Sequence, residues 1–220
     1  LVNYLSETNS KLKTGTTTVG LITKDAIILA ADQKATMGNL TYEEESKKIY
    51  KITENTALTN AGVVGDSLVL IRFLQGQALL YETERKTKMT PNAMATLLSN
   101  LLNSNRYYPF MVQFLLGGIV EGKKQLFEIT LDGGILERKN YGVTGSGTHF
   151  ALGVLDQEFK ENMSVEEGLK LAVKAVLASK RRDIFSGGRS INLVVIDETG
   201  VKEIEEKKIE KIINELNVKK

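Results

Sequence analysis

The chain has 220 residues, with 29 Lys and Arg against 27 Asp and Glu, a net charge of +2 that is too balanced for a nucleic-acid groove or a charged membrane surface. It has no cysteine and a single histidine, His149, which excludes disulfides, thiolate nucleophiles, iron–sulfur clusters, cysteine-ligated zinc and any site built on two imidazoles. No apolar run approaches the roughly 18–20 residues of a membrane span, and the segment from Leu1 to Gly15 lacks the apolar core of a signal peptide, so the expected location is a reducing cytoplasm.

From Thr16 the sequence reads as strand: TTTVGLIT, a Lys24-Asp25 turn, then AIILAA, together a β-hairpin. A second pair of short strands, residues 48–52 and 56–61, is separated by a polar Thr-Glu-Asn turn. Both pairs are apolar on two faces and need cover. Asp66 is the predicted cap of a first helix in which Leu68, Leu70, Ile71, Leu74, Ala78 and Leu79 recur at helical spacing. Thr90 caps a second, with Pro91 at its first position and Met94, Leu97, Leu98, Leu101 and Leu102 on one face, and this helix ends before Pro109. Strands follow at 110–119, 125–131 and 135–137, the last two joined by Asp132-Gly133-Gly134. Two helices at 150–160 and 165–180, the second opened by a Ser164 and Glu167 capping box, lead to a strand at 191–197 and a charged helix near 204–216. Strands, a helix pair, strands, a helix pair and a strand make the class α+β. The expected architecture is two mainly antiparallel sheets face to face between outer helix layers.

Most motif-like features have ordinary structural readings. Gly117, Gly122 and Lys123 satisfy part of a phosphate-binding loop, but Lys124 stands where Ser or Thr is required. A strand also follows where a helix N-terminus would have to hold the phosphates, so this is a hairpin turn. Gly145-Ser146-Gly147 lacks the third glycine of a dinucleotide fingerprint and reads as a turn before a helix. His149 has no GxSxG serine to serve, and residues 202–220 read as a solvated helix face with i,i+4 charge pairs. The informative feature is Gly15-Thr16-Thr17-Thr18-Val19-Gly20. A threonine hydroxyl is a poor nucleophile unless a base takes its proton, and the base left in this composition is a free α-amine, whose ordinary pKa is about 7.7–8.0. Cleavage of the Gly15–Thr16 bond would place nucleophile and base on one residue.

Downstream of this motif come ADQ at 31–33, KKIY at 47–50, NAGVVGD at 60–66, GSG around Ser146 and RRDIFSGG at 181–188, with MATLLSNLLN and YYPFMVQFLLGG between them. In this order and spacing the chain resembles the proteasome β-subunit family, of archaeal type, from Thr16 to about Ile213. The resemblance implies the four-layer αββα sandwich of the N-terminal-nucleophile (Ntn) hydrolases. It implies that Thr16 is the nucleophile, that Lys48 is the catalytic lysine held charged by Asp32, and that Ser146, Asp183 and Ser186 form the network around the threonine amine. Gly62 corresponds to the glycine whose backbone N–H faces the oxyanion. Ala35, Ser46, Tyr50, Asn60 and Val64, none charged at neutral pH, correspond to the pocket for the residue before the scissile bond.

The implied activity is that of a threonine endopeptidase that degrades unfolded proteins through an acyl ester on Thr16. Residues 1–15 would be a propeptide removed autocatalytically between Gly15 and Thr16, with Gly15 small enough to permit attack, and residues 16–220 a single domain. The implied partners are other β-subunits in a heptameric ring, rings of noncatalytic α-subunits and an ATPase ring that feeds unfolded substrates, with no nucleic acid and no membrane. No metal or organic cofactor is required. Two rivals are a noncatalytic ring subunit of the same fold, against which Thr16, Lys48 and Asp32 argue, and a different Ntn enzyme, such as an amidase or the simpler bacterial peptidase related to proteasomes. The helices after Ser164 and the charged tail favour the proteasome.

Overall fold

A computed structural model describes residues 15–218. Of the expected propeptide only Gly15 falls within them, and residues 1–14 lie outside the described residues. The chain begins with β1 (Thr17–Ile22) and β2 (Ile27–Asp32), paired antiparallel with Thr18 opposite Ala31, and Thr23 closes their turn by hydrogen bonds to Ala26 through both its amide and its hydroxyl. Then come β3 (Ala35–Met37), β4 (Leu40–Glu43), β5 (Ile49–Thr53), β6 (Thr56–Thr59), β7 (Ala61–Gly62), α1 (Val64–Arg85) and α2 (Pro91–Ser104). The central strands are β8 (Val112–Val120), β9 (Lys123–Ile129), β10 (Ile135–Arg138) and β11 (Tyr141–Gly145). The chain continues through α3 (Thr148–Glu158), α4 (Val165–Arg182), β12 (Ile191–Asp197), β13 (Gly200–Glu203) and α5 (Glu206–Val218).

One sheet has the order β11-β1-β2-β12-β13 and the other β10-β9-β8-β6-β5, with antiparallel neighbours throughout. The two-residue periodicity of β2 explains why its sequence is apolar on both faces. Ile27, Leu29 and Ala31 meet Ala57, Leu115, Ile119 and Leu126 of the second sheet, whereas Ile28 and Ala30 face a cluster that includes Leu169, Ala172, Val173 and Val176 of α4. On the far side of the second sheet, Leu58, Phe114, Leu116 and Phe127 pack on Leu70 and Leu74 of α1 and on Met94, Leu98 and Leu102 of α2. The result is an αββα sandwich, the α+β architecture expected.

The differences from expectation are local. Asp66 does not cap α1: the cap position is Val63, which offers no side chain to the helix, and Asp66 sits in the first turn, where its Oδ2 accepts a hydrogen bond from Met111 N at 2.9 Å. Leu79 of the predicted apolar stripe is exposed. The hairpin β3–β4, the two-residue β7, and strands β11 and β13 are additional to the predicted elements. The terminal helix begins two residues later than the predicted start near 204, because β13 and its two following residues intervene. The β8–β9 turn confirms the hairpin reading of Gly122-Lys123: Glu121 and Gly122 both have positive φ, 52° and 76°, the pattern of a tight two-residue hairpin turn.

Candidate active site

Thr16 stands at the entrance to β1, and is buried to 5% exposure. The GSG segment makes this close approach possible. Gly145 has φ +96°, and a Cβ on it would lie 2.0 Å from the Thr16 carbonyl oxygen; one on Gly147 would lie 1.9 Å from Thr17 Oγ1. The amide of Thr16 donates to Ser146 Oγ at 3.2 Å, and Ser146 Oγ donates to Asp183 Oδ2 at 2.5 Å. Ser186 Oγ donates to the same carboxylate oxygen at 2.6 Å, and Thr17 Oγ1 lies 2.7 Å from Ser186 Oγ. With one proton per hydroxyl, two donor chains converge on Asp183, one from the Thr16 nitrogen through Ser146 and one from Thr17 through Ser186. The nitrogen that would become the α-amine is therefore already seated on the serine–aspartate pair.

A second cluster lies at the end of β2. Asp32, fully buried, receives Lys48 Nζ at 2.8 Å and Thr17 N at 2.9 Å on Oδ1, and Gly187 N at 2.8 Å and Lys34 N at 3.1 Å on Oδ2. Lys48 Nζ also donates to Lys34 O at 2.6 Å, and its backbone N–H is fixed by Asn192 Oδ1 at 2.8 Å. Burial lowers the Lys48 pKa from its ordinary value, more than the attraction and hydrogen bond of Asp32 raise it. Asp32 thus favours the charged form of Lys48, and desolvation opposes it.

Two cavities flank Thr16. One of about 30 Å³ is lined by Gly15, Thr16, Ala35, Thr36, Ser46, Lys48, Asn60, Gly62 and Val64. The other, of about 260 Å³, has Gly62, Met111, Gly145 and Ser146 in its wall together with Thr16. Gly62 belongs to both, and its backbone requires glycine twice over: φ is +125°, and a Cβ would sit 2.1 Å from the Met111 carbonyl oxygen. Four of the five predicted pocket residues, Ala35, Ser46, Asn60 and Val64, line the small cavity. Tyr50 does not; its hydroxyl donates to Lys47 O at 2.9 Å and its ring lies against the core beneath α1 and α2. Among the described residues no group of three or more His, Asp or Glu is placed to hold a metal ion.

The family model described as Proteasome subunit matches residues 12–196 of the chain. A protein named proteasome subunit beta from Methanocaldococcus fervens is 49% identical over 207 residues, 93% of this chain and 92% of the relative. Another of that name from Methanococcus vannielii is 43% identical over 217 residues, 98% of each chain. A protein named proteasome subunit beta 2 from Pyrococcus furiosus is 45% identical over 203 residues, 92% of this chain and 97% of the relative. The chain belongs to the proteasome β-subunit family.

Within this β-subunit of archaeal type, the structure brings together every predicted member of the polar network and leaves only Tyr50 outside. It also adds residues that the sequence reading did not single out. Thr17 ties Ser186 to the network, and the Lys34 backbone binds both Asp32 and Lys48. Thr36 lines the small cavity with a hydroxyl that is buried without a hydrogen-bond partner. Phe185 touches the space of Gly15. The threonine run after Gly15 and the position of Phe185 between Asp183 and Ser186 were visible signals for two of these. The backbone role of Lys34 leaves no mark on its side chain.

Proposed function

We propose that this subunit is a threonine endopeptidase of the proteasome core, with Thr16 as nucleophile, residues 1–15 as its propeptide and residues 16–220 as one catalytic domain. The observation that carries the reading is the seating of the Thr16 nitrogen on Ser146 and Asp183, while the residue shares a cavity with Lys48. Once the Gly15–Thr16 bond is cut, that nitrogen is an amine able to take the hydroxyl proton. Thr16 Oγ then attacks the substrate carbonyl, the N–H of Gly62 faces the developing oxyanion, and the amine returns the proton to the leaving nitrogen. Water, deprotonated by the same amine, hydrolyses the ester and restores Thr16. Lys48 supplies positive potential beside the hydroxyl and, with its pKa lowered by burial, exchanges a proton more readily than a solvated lysine. No metal or organic cofactor enters this scheme.

The subunit works, in this reading, within a heptameric β ring between rings of α-subunits in the cytoplasm, supplied with unfolded proteins by an ATPase ring. Enclosure gives the selectivity that a broadly specific peptidase lacks. The test is assembly with α-subunits followed by intact-mass and N-terminal analysis. The expected result is a mature N-terminus at Thr16 with peptidase activity, and an uncut, inactive but folded Thr16→Ala particle. Activity in particles that retain residues 1–15 would overturn the mechanism.

A further inference from the structure

Gly15 is buried, and the space around it has no room for a side chain. A Cβ on Gly15 would lie 1.8 Å from Phe185 Cβ, 2.6 Å from Phe185 Cγ and 2.8 Å from Ser146 Oγ. The Ser146 hydroxyl is the far end of a short side chain and can rotate, whereas Phe185 Cβ moves only with its backbone. That backbone is held on both sides by the two carboxylates of the site. Phe185 N donates to Asp183 Oδ1 at 3.3 Å, Ser186 N donates to Asp183 O at 3.2 Å, and Gly187 N donates to Asp32 Oδ2 at 2.8 Å. Gln33 N closes the loop on Gly187 O at 3.1 Å.

We propose that Phe185 is a positioning residue for propeptide removal: it restricts the position before Thr16 to glycine and holds the Gly15–Thr16 peptide against the Ser146 side of the site. The proposal rests on the reading of Thr16 as nucleophile. In the step concerned, a bond forms between Thr16 Oγ and the Gly15 carbonyl carbon, the Gly15–Thr16 C–N bond breaks, and the hydroxyl proton ends on the Thr16 nitrogen. The products are an ester and a free amine. Water then cleaves the ester to a Gly15 carboxylate and the Thr16 hydroxyl. Throughout, the Gly15 carbonyl must stay within reach of Thr16 Oγ, and any side chain at residue 15 is driven away from that place by a wall that cannot retreat.

The test follows propeptide loss by intact mass after assembly with α-subunits in four proteins: the unaltered chain, Gly15→Ala, Gly15→Ala with Phe185→Gly, and Gly15→Ala with Phe185→Ala. Gly15→Ala is expected to slow cleavage roughly 100-fold, the scale of an ångström-sized misplacement at a reacting centre. Phe185→Gly, which removes the obstructing Cβ, is expected to recover most of that loss, and Phe185→Ala, which keeps it, to recover little. Gly15→Ala cleaved at the unaltered rate, or Gly15→Ala with Phe185→Gly no faster than Gly15→Ala alone, would overturn the proposal. Should Phe185→Gly fail to assemble, Gly15→Val against Gly15→Ala in the unaltered background decides, since a spatial wall makes Val the slower and equal rates would overturn it. Phe185→Gly made with Thr16 freed by an unrelated protease should keep its peptidase activity, because the residue acts on the propeptide; loss of that activity would overturn the assignment to processing. Failure of the unaltered chain to lose residues 1–15 would instead sink the nucleophile reading itself.

Discussion

Lys48 Nζ and Asp32 Oδ1 meet at 2.8 Å with their side chains 5% and 0% exposed, and the same carboxylate also receives the amides of Thr17, Lys34 and Gly187. One side chain thus joins the start of β1, the segment leaving β2, the loop after α4 and the lysine that shares a cavity with Thr16. The pair contributes specificity of position more than net stability, because two desolvated charges recover little beyond what their mutual attraction returns.

Breaking it is another matter. Asp32→Asn presents one carbonyl oxygen and an NH2 group to four donors, so at least two of these lose their acceptor and Lys48 loses its counter-charge. The expected cost is about 3–5 kcal/mol in urea unfolding, as for other buried pairs deprived of one partner. Peptidase activity should fall as well, since the lysine is no longer fixed. A variant as stable and active as the unaltered subunit would remove Asp32 from this role.

The lowered pKa of Lys48 has a signed consequence. Its largest cause is desolvation, opposed by Asp32, and the folded state therefore holds the proton less tightly than the unfolded chain. Between the folded pKa and the ordinary value of 10.5 the unfolded state binds more protons, so the contribution of Lys48 to stability rises with pH across that window. Lys48→Met lacks this dependence. Unfolding measured at increasing alkaline pH should show the unaltered protein gaining on the variant; a difference that shrinks as pH rises would contradict the assignment. Lys48→Arg should restore little activity, because a guanidinium is larger, planar and effectively never deprotonated.

The order of layers was legible in the sequence because β2 and β8 are long enough to show their burial and because Thr90-Pro91 and Ser164 with Glu167 mark helix starts through chemistry that the structure reproduces. What escaped reading was short or depended on partners distant in sequence. The β3–β4 hairpin exposes Met37, Leu40 and Tyr42 and has no buried face to print a pattern. Strand β11 carries two glycines, which lower its strand propensity; Gly145 stands opposite Thr17, where the close approach to Thr16 needs it. Asp66 has the residue type of a cap, yet its partner is Met111, 45 residues away. The candidate site was legible as residue types in order, but the direction of its hydrogen bonds and the wall formed by Phe185 exist only once the loop after α4 is folded against Gly15.

Gly62→Ala tests the backbone that would face the oxyanion. A φ of +125° and a carbonyl oxygen 2.1 Å from the new Cβ impose two separate penalties, so β7 must shift away from β8. The expected result is a fall of roughly 100-fold in kcat with a smaller change in KM, the pattern of a lost transition-state contact. An equal loss confined to KM would mean that Gly62 serves substrate binding alone.

If the subunit acts as the proposed peptidase, the lining of the small cavity predicts its specificity. Lys48 is the one charged side chain there, and its ammonium is already committed to Asp32 and the Lys34 carbonyl, so an acidic substrate side chain finds no free cation. A basic one finds no carboxylate, and either would lose its hydration without compensation. Ala35 and Val64 favour apolar groups, but the cavity is not wholly apolar. Asn60 lies beneath it with its amide oxygen 2.5 Å from Ser67 Oγ, and the Thr36 hydroxyl is buried without a partner. A neutral side chain that ends in a carboxamide can pair with the Asn60 amide while burying its carbons. The expected result in a panel of fluorogenic peptides that differ only at the residue before the scissile bond is therefore faster cleavage after neutral, mainly apolar residues than after Arg, Glu or Asp. Asn60→Leu should depress cleavage after Gln relative to Leu, because it replaces an amide partner by a methyl surface. Fastest cleavage after Arg or Glu would sink this assignment of the cavity and leave the role of Thr16 untouched.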